Sequence, residues 1–111
     1  MDATRERIAK TEALFREVNE RIAETSDRLD AEEAEFMCEC ADAGCSERLE
    51  VPLEEYESVR SDPTQFLLDP EHVEPKVETI VRRRRGYAVV QKFDRVVARL
   101  VRRLDPRAEP V

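Results

Sequence analysis

Residues 36–51, "FMCECADAGCSERLEV", hold all three cysteines of the chain within eight positions. An odd number of thiols cannot pair fully inside one molecule, so the spacing calls for another chemistry. Cys38 and Cys40 are two apart, which on an extended strand turns both thiols to one face. Cys45 follows Gly44, one of only two glycines in the chain. A glycine can take positive φ there and let the chain return, so that the third sulfur meets the first two. The stretch therefore reads as two short strands, 36–40 and 45–51, around the turn Ala41-Asp42-Ala43-Gly44.

Zinc takes four tetrahedral ligands, with Zn–S near ~2.3 Å and Zn–N near ~2.0 Å, and three cysteines with one histidine are an ordinary structural set. The only histidine is His72, in a loop stiffened by Pro70 and Pro75, which lowers the entropy lost on fixing it. The expectation is one structural zinc ion held by Cys38, Cys40, Cys45 and His72. If His72 stays out, Asp42, Glu39 or water completes the set. Two other readings remain open: ordinary buried thiols, and a thiol redox or metal sensor in which a strained C-x-C disulfide is resolved by Cys45.

Working outward, composition sets the scale. The chain has 111 residues, 41% of them charged and only 5% aromatic. That is enough for one domain with a modest core, which a metal or a partner would help to stabilise. No apolar run is long enough for a transmembrane helix. The opening "MDATRERIAKTEALF" reads as a charged helix rather than a signal peptide, so a cytoplasmic protein with reduced thiols is expected. The net charge is −7, but residues 1–60 carry −10 and residues 61–111 carry +3. An acidic whole argues against general nucleic-acid binding while leaving room for a local basic surface.

Residues 2–34 lack Gly and Pro and are rich in helix formers. Ile8, Phe15, Ile22 and Leu29 repeat every seven residues, with Val18 on a weaker second row. This is the pattern of a coiled-coil seam, to be met by a second chain or by the domain itself. Leu53, Tyr56 and Val59 give a short middle helix opened by Pro52, and Phe66-Leu67-Leu68 reads as a strand. Residues 77–83 and 87–92 form a hairpin around Arg84-Arg85-Gly86, with Val77, Thr79 and Val81 on one face. From about Phe93 to Leu104 the chain is a helix with an apolar stripe of Phe93, Val96, Val97, Leu100, Val101 and Leu104. Arg95, Arg99, Arg102 and Arg103 take its other side. These four, with Arg82, Arg83, Arg84 and Arg85 at the hairpin tip, are candidates for contacting phosphates or an acidic protein surface. The alternative for the tip is a solvated turn pairing with the acidic half.

The segments "REVNERI", "FMCECADAGCSERLEVPLEEYESVRSDPTQFLLDPEHVEPKVETIV" and "YAVVQK" resemble a family of small uncharacterised bacterial proteins with a CxCx4C…H segment. The resemblance covers roughly residues 14–93 and brings no established activity. It implies that the cysteine segment, the "EYESVR" helix and the "DPEH" loop form one unit.

The reading is an α+β fold. A long N-terminal helix (1–34) leads into a zinc-stapled hairpin-and-helix core with a second hairpin (35–92). A basic amphipathic helix (93–104) and a loose tail (105–111) follow. No nucleophile–base couple or phosphate-cradling glycine loop is present in the sequence. The expected function is a non-enzymatic, zinc-stabilised protein-interaction or regulatory module, meeting a protein partner or a second copy through its helices. The alternatives are a nucleic-acid-associated regulator and the redox or metal sensor. No small-molecule substrate is indicated.

Overall fold

A computed structural model describes residues 3–108. The elements are α1 (Ala3–Arg28), β1 (Glu33–Met37), β2 (Arg48–Pro52), α2 (Leu53–Arg60), β3 (Gln65–Leu68), a 3-10 turn (Pro70–His72), β4 (Glu78–Arg84), β5 (Tyr87–Lys92) and α3 (Arg95–Arg103). The fold is α+β, as the sequence reading expects, with two small antiparallel sheets: β1-β2, and β3-β5-β4.

The helix α1 ends earlier than residue 34. Asp30 adopts φ 55°, Ala31 N donates to Ser26 O at 3.0 Å, and Asp30 N donates to Asp27 O at 3.1 Å. This pair of bonds is a Schellman motif with aspartate in the left-handed position that glycine usually fills. Thr25, Ser26 and Asp27, each a plausible cap by residue type, remain inside the helix.

The heptad seam does not lie on one face. An ideal α-helix drifts about 20° per heptad against a strict seven-residue repeat. Ile8 is buried, Phe15 and Ile22 are half-buried, and Leu29 and Val18 are exposed. The inward face is instead Ile8, Ala9, Glu12, Arg16, Asn19 and Ala23, spaced for one side of a 3.6-residue period but largely polar. α1 thus packs within its own domain, against α3 and β1.

Several polar groups on that face find partners on the sheets, although among the described residues both Glu12 oxygens and Arg16 Nε are buried without a hydrogen bond. Arg16 Nη1 donates to Pro63 O at 2.8 Å and Nη2 donates to Gln65 O, and its guanidinium lies 3.6 Å from the centre of the Phe66 ring. Lys92, on β5, pairs with its cross-strand neighbour Glu78 and with Glu12. In the apolar core, Phe36 stacks on Tyr56 with centroids 4.4 Å apart, and Tyr56 Oη donates to Glu20 at 2.7 Å.

The second hairpin has a tighter tip than expected, with Arg84 paired to Tyr87 around Arg85-Gly86. Gly86, at φ 87°, supplies the positive dihedral that a two-residue turn requires. The register slips between Ile80 and Arg82, so Val81 is a bulged residue turned to solvent. Glu78 and Ile80 take the inward side, while Thr79 is exposed. Thr79 and Val81 share a face as expected, but it is the exposed one; Val77 is buried and precedes β4, whose inward row starts at Glu78 opposite Lys92.

In α3 the expected apolar stripe divides. Val97, Ala98 and Val101 enter the core, while Phe93, Val96 and Leu104 stay exposed. Asp94 caps the helix, its side chain accepting from Val97 N at 3.0 Å. The tail expected to be loose is tied down as far as it is described. Asp105 pairs with the buried Arg60, and Arg107 forks onto Glu57 at 2.9 and 3.0 Å. Residues 109–111 lie outside the described residues.

Candidate metal centre

The cysteines sit just beyond the strands rather than on them. Just past the end of β1 at Met37 the chain changes partners between Cys38 and Glu39. Cys38 N still donates to Glu47 O at 3.1 Å on the β2 side, whereas Glu39 N donates to Leu67 O at 2.7 Å on β3. The cysteine segment therefore bridges the two sheets.

Glu39 fixes that crossing. It is fully buried, and one carboxylate oxygen accepts from Leu67 N at 3.0 Å while the other accepts from Asn19 Nδ2 at 2.9 Å. Arg16 supplies the countercharge at 3.9 Å. With Glu39 held on the α1 and β3 side, its neighbours Cys38 and Cys40 gather with Cys45 and His72.

Cys45 is brought back by Asp42, not by an unusual glycine. Cys45 N donates to Asp42 O at 3.0 Å, and Asp42 Oδ1 accepts from Gly44 N at 2.8 Å. Among the described residues the positive dihedrals fall at Asp30 and Gly86, so the expectation for Gly44 is corrected. His72 comes from the 3-10 turn after β3. Asp69 caps that turn through Glu71 N at 2.8 Å, Pro70 opens it, and His72 N closes onto Asp69 O at 2.8 Å.

One ligand atom from each of Cys38, Cys40, Cys45 and His72 lies within 4.8 Å of the other three. His72 Nδ1 is 3.4 Å from Cys38 Sγ and 3.6 Å from Cys45 Sγ. A tetrahedral zinc site with ordinary bond lengths has S···N edges of about 3.5 Å. The four side chains are close enough to hold a metal ion, and their spacing and softness are compatible with zinc. Cys38 Sγ also accepts from Asp69 N at 3.2 Å, a bond that favours thiolate.

A hydrogen bond from the Cys38 thiol holds Cys40 down at about 5. The same bond, followed by burial, pushes Cys38 far up. Both directions have one cause, the contact between the two thiols.

Glu39 and Asp42, the alternatives for the fourth ligand, have carboxylate oxygens engaged with Leu67, Asn19 and Gly44. Cys38 and Cys40 are buried; Cys45 and His72 are half-buried. A groove of about 350 Å³ lined by Cys40, Asp42, His72 and Glu74, among others, opens beside the cluster.

The candidate arginines are divided. Arg82 and Arg84 bind Glu55 of α2 at 2.8 and 3.2 Å, which fits the pairing alternative for the turn. Arg83 and Arg85 are exposed, as are Arg95, Arg99, Arg102 and Arg103 along α3. Sequence reasoning passes over Asn19 and Arg16, which hold the cysteine segment and β3 in place. Their only signal is a spacing shared with Ile8, Glu12 and Ala23, which in polar residues normally marks a solvent face.

Comparison with protein-family models, with curated proteins and with solved structures finds no match. Fold and site together define a small α+β protein whose Cys3His cluster is placed to hold a metal ion. Among the described residues no helix is long and apolar enough to cross a membrane.

Proposed function

We propose that Cys38, Cys40, Cys45 and His72 bind one structural zinc ion and that the chain is a non-enzymatic, zinc-stabilised protein-interaction or regulatory module. The observation that carries the reading is the placement of His72 Nδ1 3.4 and 3.6 Å from two cysteine sulfurs contributed by a different part of the chain. The ion closes a link from the β1–β2 hairpin to the loop after β3, between the two sheets. A core this small gains most from such a link, since structural zinc contributes directly to folding free energy. Four protein ligands leave no open position for a bound water, and the only histidine is among them, which favours a scaffold over catalysis.

Native mass spectrometry of the purified protein tests this, with one zinc per chain expected. Cys38→Ser and His72→Ala are expected to abolish retention of the ion. A metal-free parent that is equally stable with and without added zinc would sink the assignment.

The redox or metal sensor is a second reading, favoured by the groove beside Cys40 and His72 and by the half-buried Cys45. Peroxide can reach such an edge, and two thiols and one peroxide yield a disulfide and two waters. That removes two zinc ligands at once.

A further inference from the structure

The helices α1 and α3 lie side by side and run in the same direction. Arg5 Nε meets Asp94 Oδ1 at 2.9 Å at one end, while Lys10, Ala13, Leu14, Glu17 and Leu104 line a groove of about 350 Å³ at the other. Val97, Ala98 and Val101 make the buried side of α3. Val96, Leu100 and Leu104, four residues apart, form a second apolar row on its shoulder. Leu14 is 65% exposed, Leu104 39% and Val96 37%.

A row of Arg95, Arg99 and Arg103 follows at the same interval, with Arg102 beside it, all exposed. Residues three apart are neighbours on a helix surface, so Arg99 borders Val96 and Arg103 borders Leu100. Among the described residues none of these arginines pairs with a carboxylate of this chain, in contrast to Arg82, Arg84 and Arg107.

We propose that this shoulder of α3, with Leu14 of α1, is the docking surface for an acidic amphipathic helix of a partner protein. The inference deepens the interaction-module reading and rests on it. The apolar row needs an apolar ridge to cover it, and covering it desolvates the flanking arginines, which then require carboxylates. Guanidinium forks match carboxylates in pairs, so the partner is acidic along one flank. A groove between two parallel helices accepts a third helix, whereas a flat bilayer would touch only the convex ridge of α3. Glu17 and Lys10, one acid and one base, both of α1, line the groove, so the arginine row of α3 is the one strongly basic flank. A partner acidic on one flank is thereby oriented with that flank toward α3. The acidic bulk of the chain opposes a polyanion as long as a nucleic acid.

The zinc-loaded full chain would be titrated with a synthetic helical peptide bearing leucines along one face and glutamates along one flank. The same peptide with lysines for glutamates is the comparison. The glutamate peptide is expected to bind at least about tenfold more tightly, with the difference shrinking as salt is added. Leu14→Asp and Arg99→Glu are each expected to weaken it about tenfold, with zinc content and melting temperature unchanged because both side chains point to solvent. Equal binding of the two peptides, or variants that bind like the parent, overturns the proposal. So does a preference for phosphatidylserine vesicles or duplex DNA over the peptide. A folded, zinc-free chain that still selects the glutamate peptide would overturn the zinc staple and uphold this surface.

Discussion

The carboxamide of Asn19 makes both hydrogen bonds to the backbone of Met37: Nδ2 donates to Met37 O at 2.9 Å, and Oδ1 accepts from Met37 N at 2.7 Å. It reads the edge of β1 as a neighbouring strand would. The same Nδ2 donates to Glu39, between two of the proposed zinc ligands, so among the described residues the hydrogen bonds from α1 to the cysteine segment come from this one side chain, with Arg16 adding only charge. Asn19→Ala leaves partly buried groups of Met37 and an oxygen of Glu39 without partners, each costing about 1–3 kcal/mol. The expected result is a loss of about 3 kcal/mol in urea unfolding, with weaker zinc retention. Asn19→Asp keeps the acceptor but sets a carboxylate against Glu39, and should be no better. An Asn19→Ala protein with the parent's midpoint would show that the segment is held by other means.

Stability should also fall as pH rises from the acidic range to about 8, because of Glu12. Burial pushes this carboxyl from the ordinary 4.5 up to about 8, with Glu78 and Glu39 adding to the rise and Lys92 opposing it. Two buried carboxyls share one ammonium, so the proton stays on Glu12 at neutral pH. A group whose folded value is raised contributes stability that is complete below its unfolded value and lost as pH climbs through the folded one. The window therefore runs from 4.5 to about 8, with a slope of at most about 1.4 kcal/mol per pH unit. Glu12→Gln should flatten it and make the chain more stable than the parent above the window. Urea titrations of zinc-loaded protein across that range check this; a slope unchanged in the variant would assign it to other groups.

How much of this was legible beforehand varies by element. The Cys3His cluster could be read because chemistry restricts it: three thiols and one histidine leave few combinations, and Pro70 and Pro75 mark the loop that delivers the histidine. Helix and strand types followed from periodicity in α3 and from a short apolar run in β3. Facing was harder to read. The inward row of β4 starts at Glu78 because the buried Lys92 draws that carboxylate in, and an acid beside a valine gives no sign of this in the sequence. The inward side of α1 was hidden for a different reason. Glu12, Arg16 and Asn19 look like solvent residues until β3, β5 and Glu39 supply their partners, and those partners lie about 20 to 80 residues away in sequence. The apolar residues of the seam drew attention to the wrong shoulder of the helix.

The end of α1 offers a test by a single side chain. Asp30 holds φ 55°, a conformation that costs an L-residue roughly 1–2 kcal/mol, less for aspartate. Its negative charge also faces the negative end of the helix dipole. Asp30→Gly removes both penalties while adding some freedom to the unfolded chain. A net gain of about 0.5–1 kcal/mol is expected, seen as a higher melting temperature with unchanged helicity. A loss of stability would mean that the Asp30 side chain makes a contact worth more than the strain.

Metal removal gives the sharpest contrast among the readings. Chelation should lower stability by several kcal/mol, since structural zinc contributes folding free energy outright, and the loss should be local at first. The two ends of the staple, residues 38–45 and 69–74, would become open to protease while α1 and α3 persist, because Arg16 still grips the carbonyls of Pro63 and Gln65. Glu39 still bonds Leu67 N, so β3 and the start of the segment stay in place. Mild peroxide separates scaffold from sensor. A scaffold keeps its zinc until the fold opens, whereas a sensor releases it stoichiometrically with formation of one disulfide, and thioredoxin-type reductant restores binding. Released zinc followed with a chromogenic chelator, beside protease sensitivity of the same sample, distinguishes the two. Zinc retained through peroxide treatment that oxidises a free thiol added to the same solution would remove the sensor reading and leave the structural one.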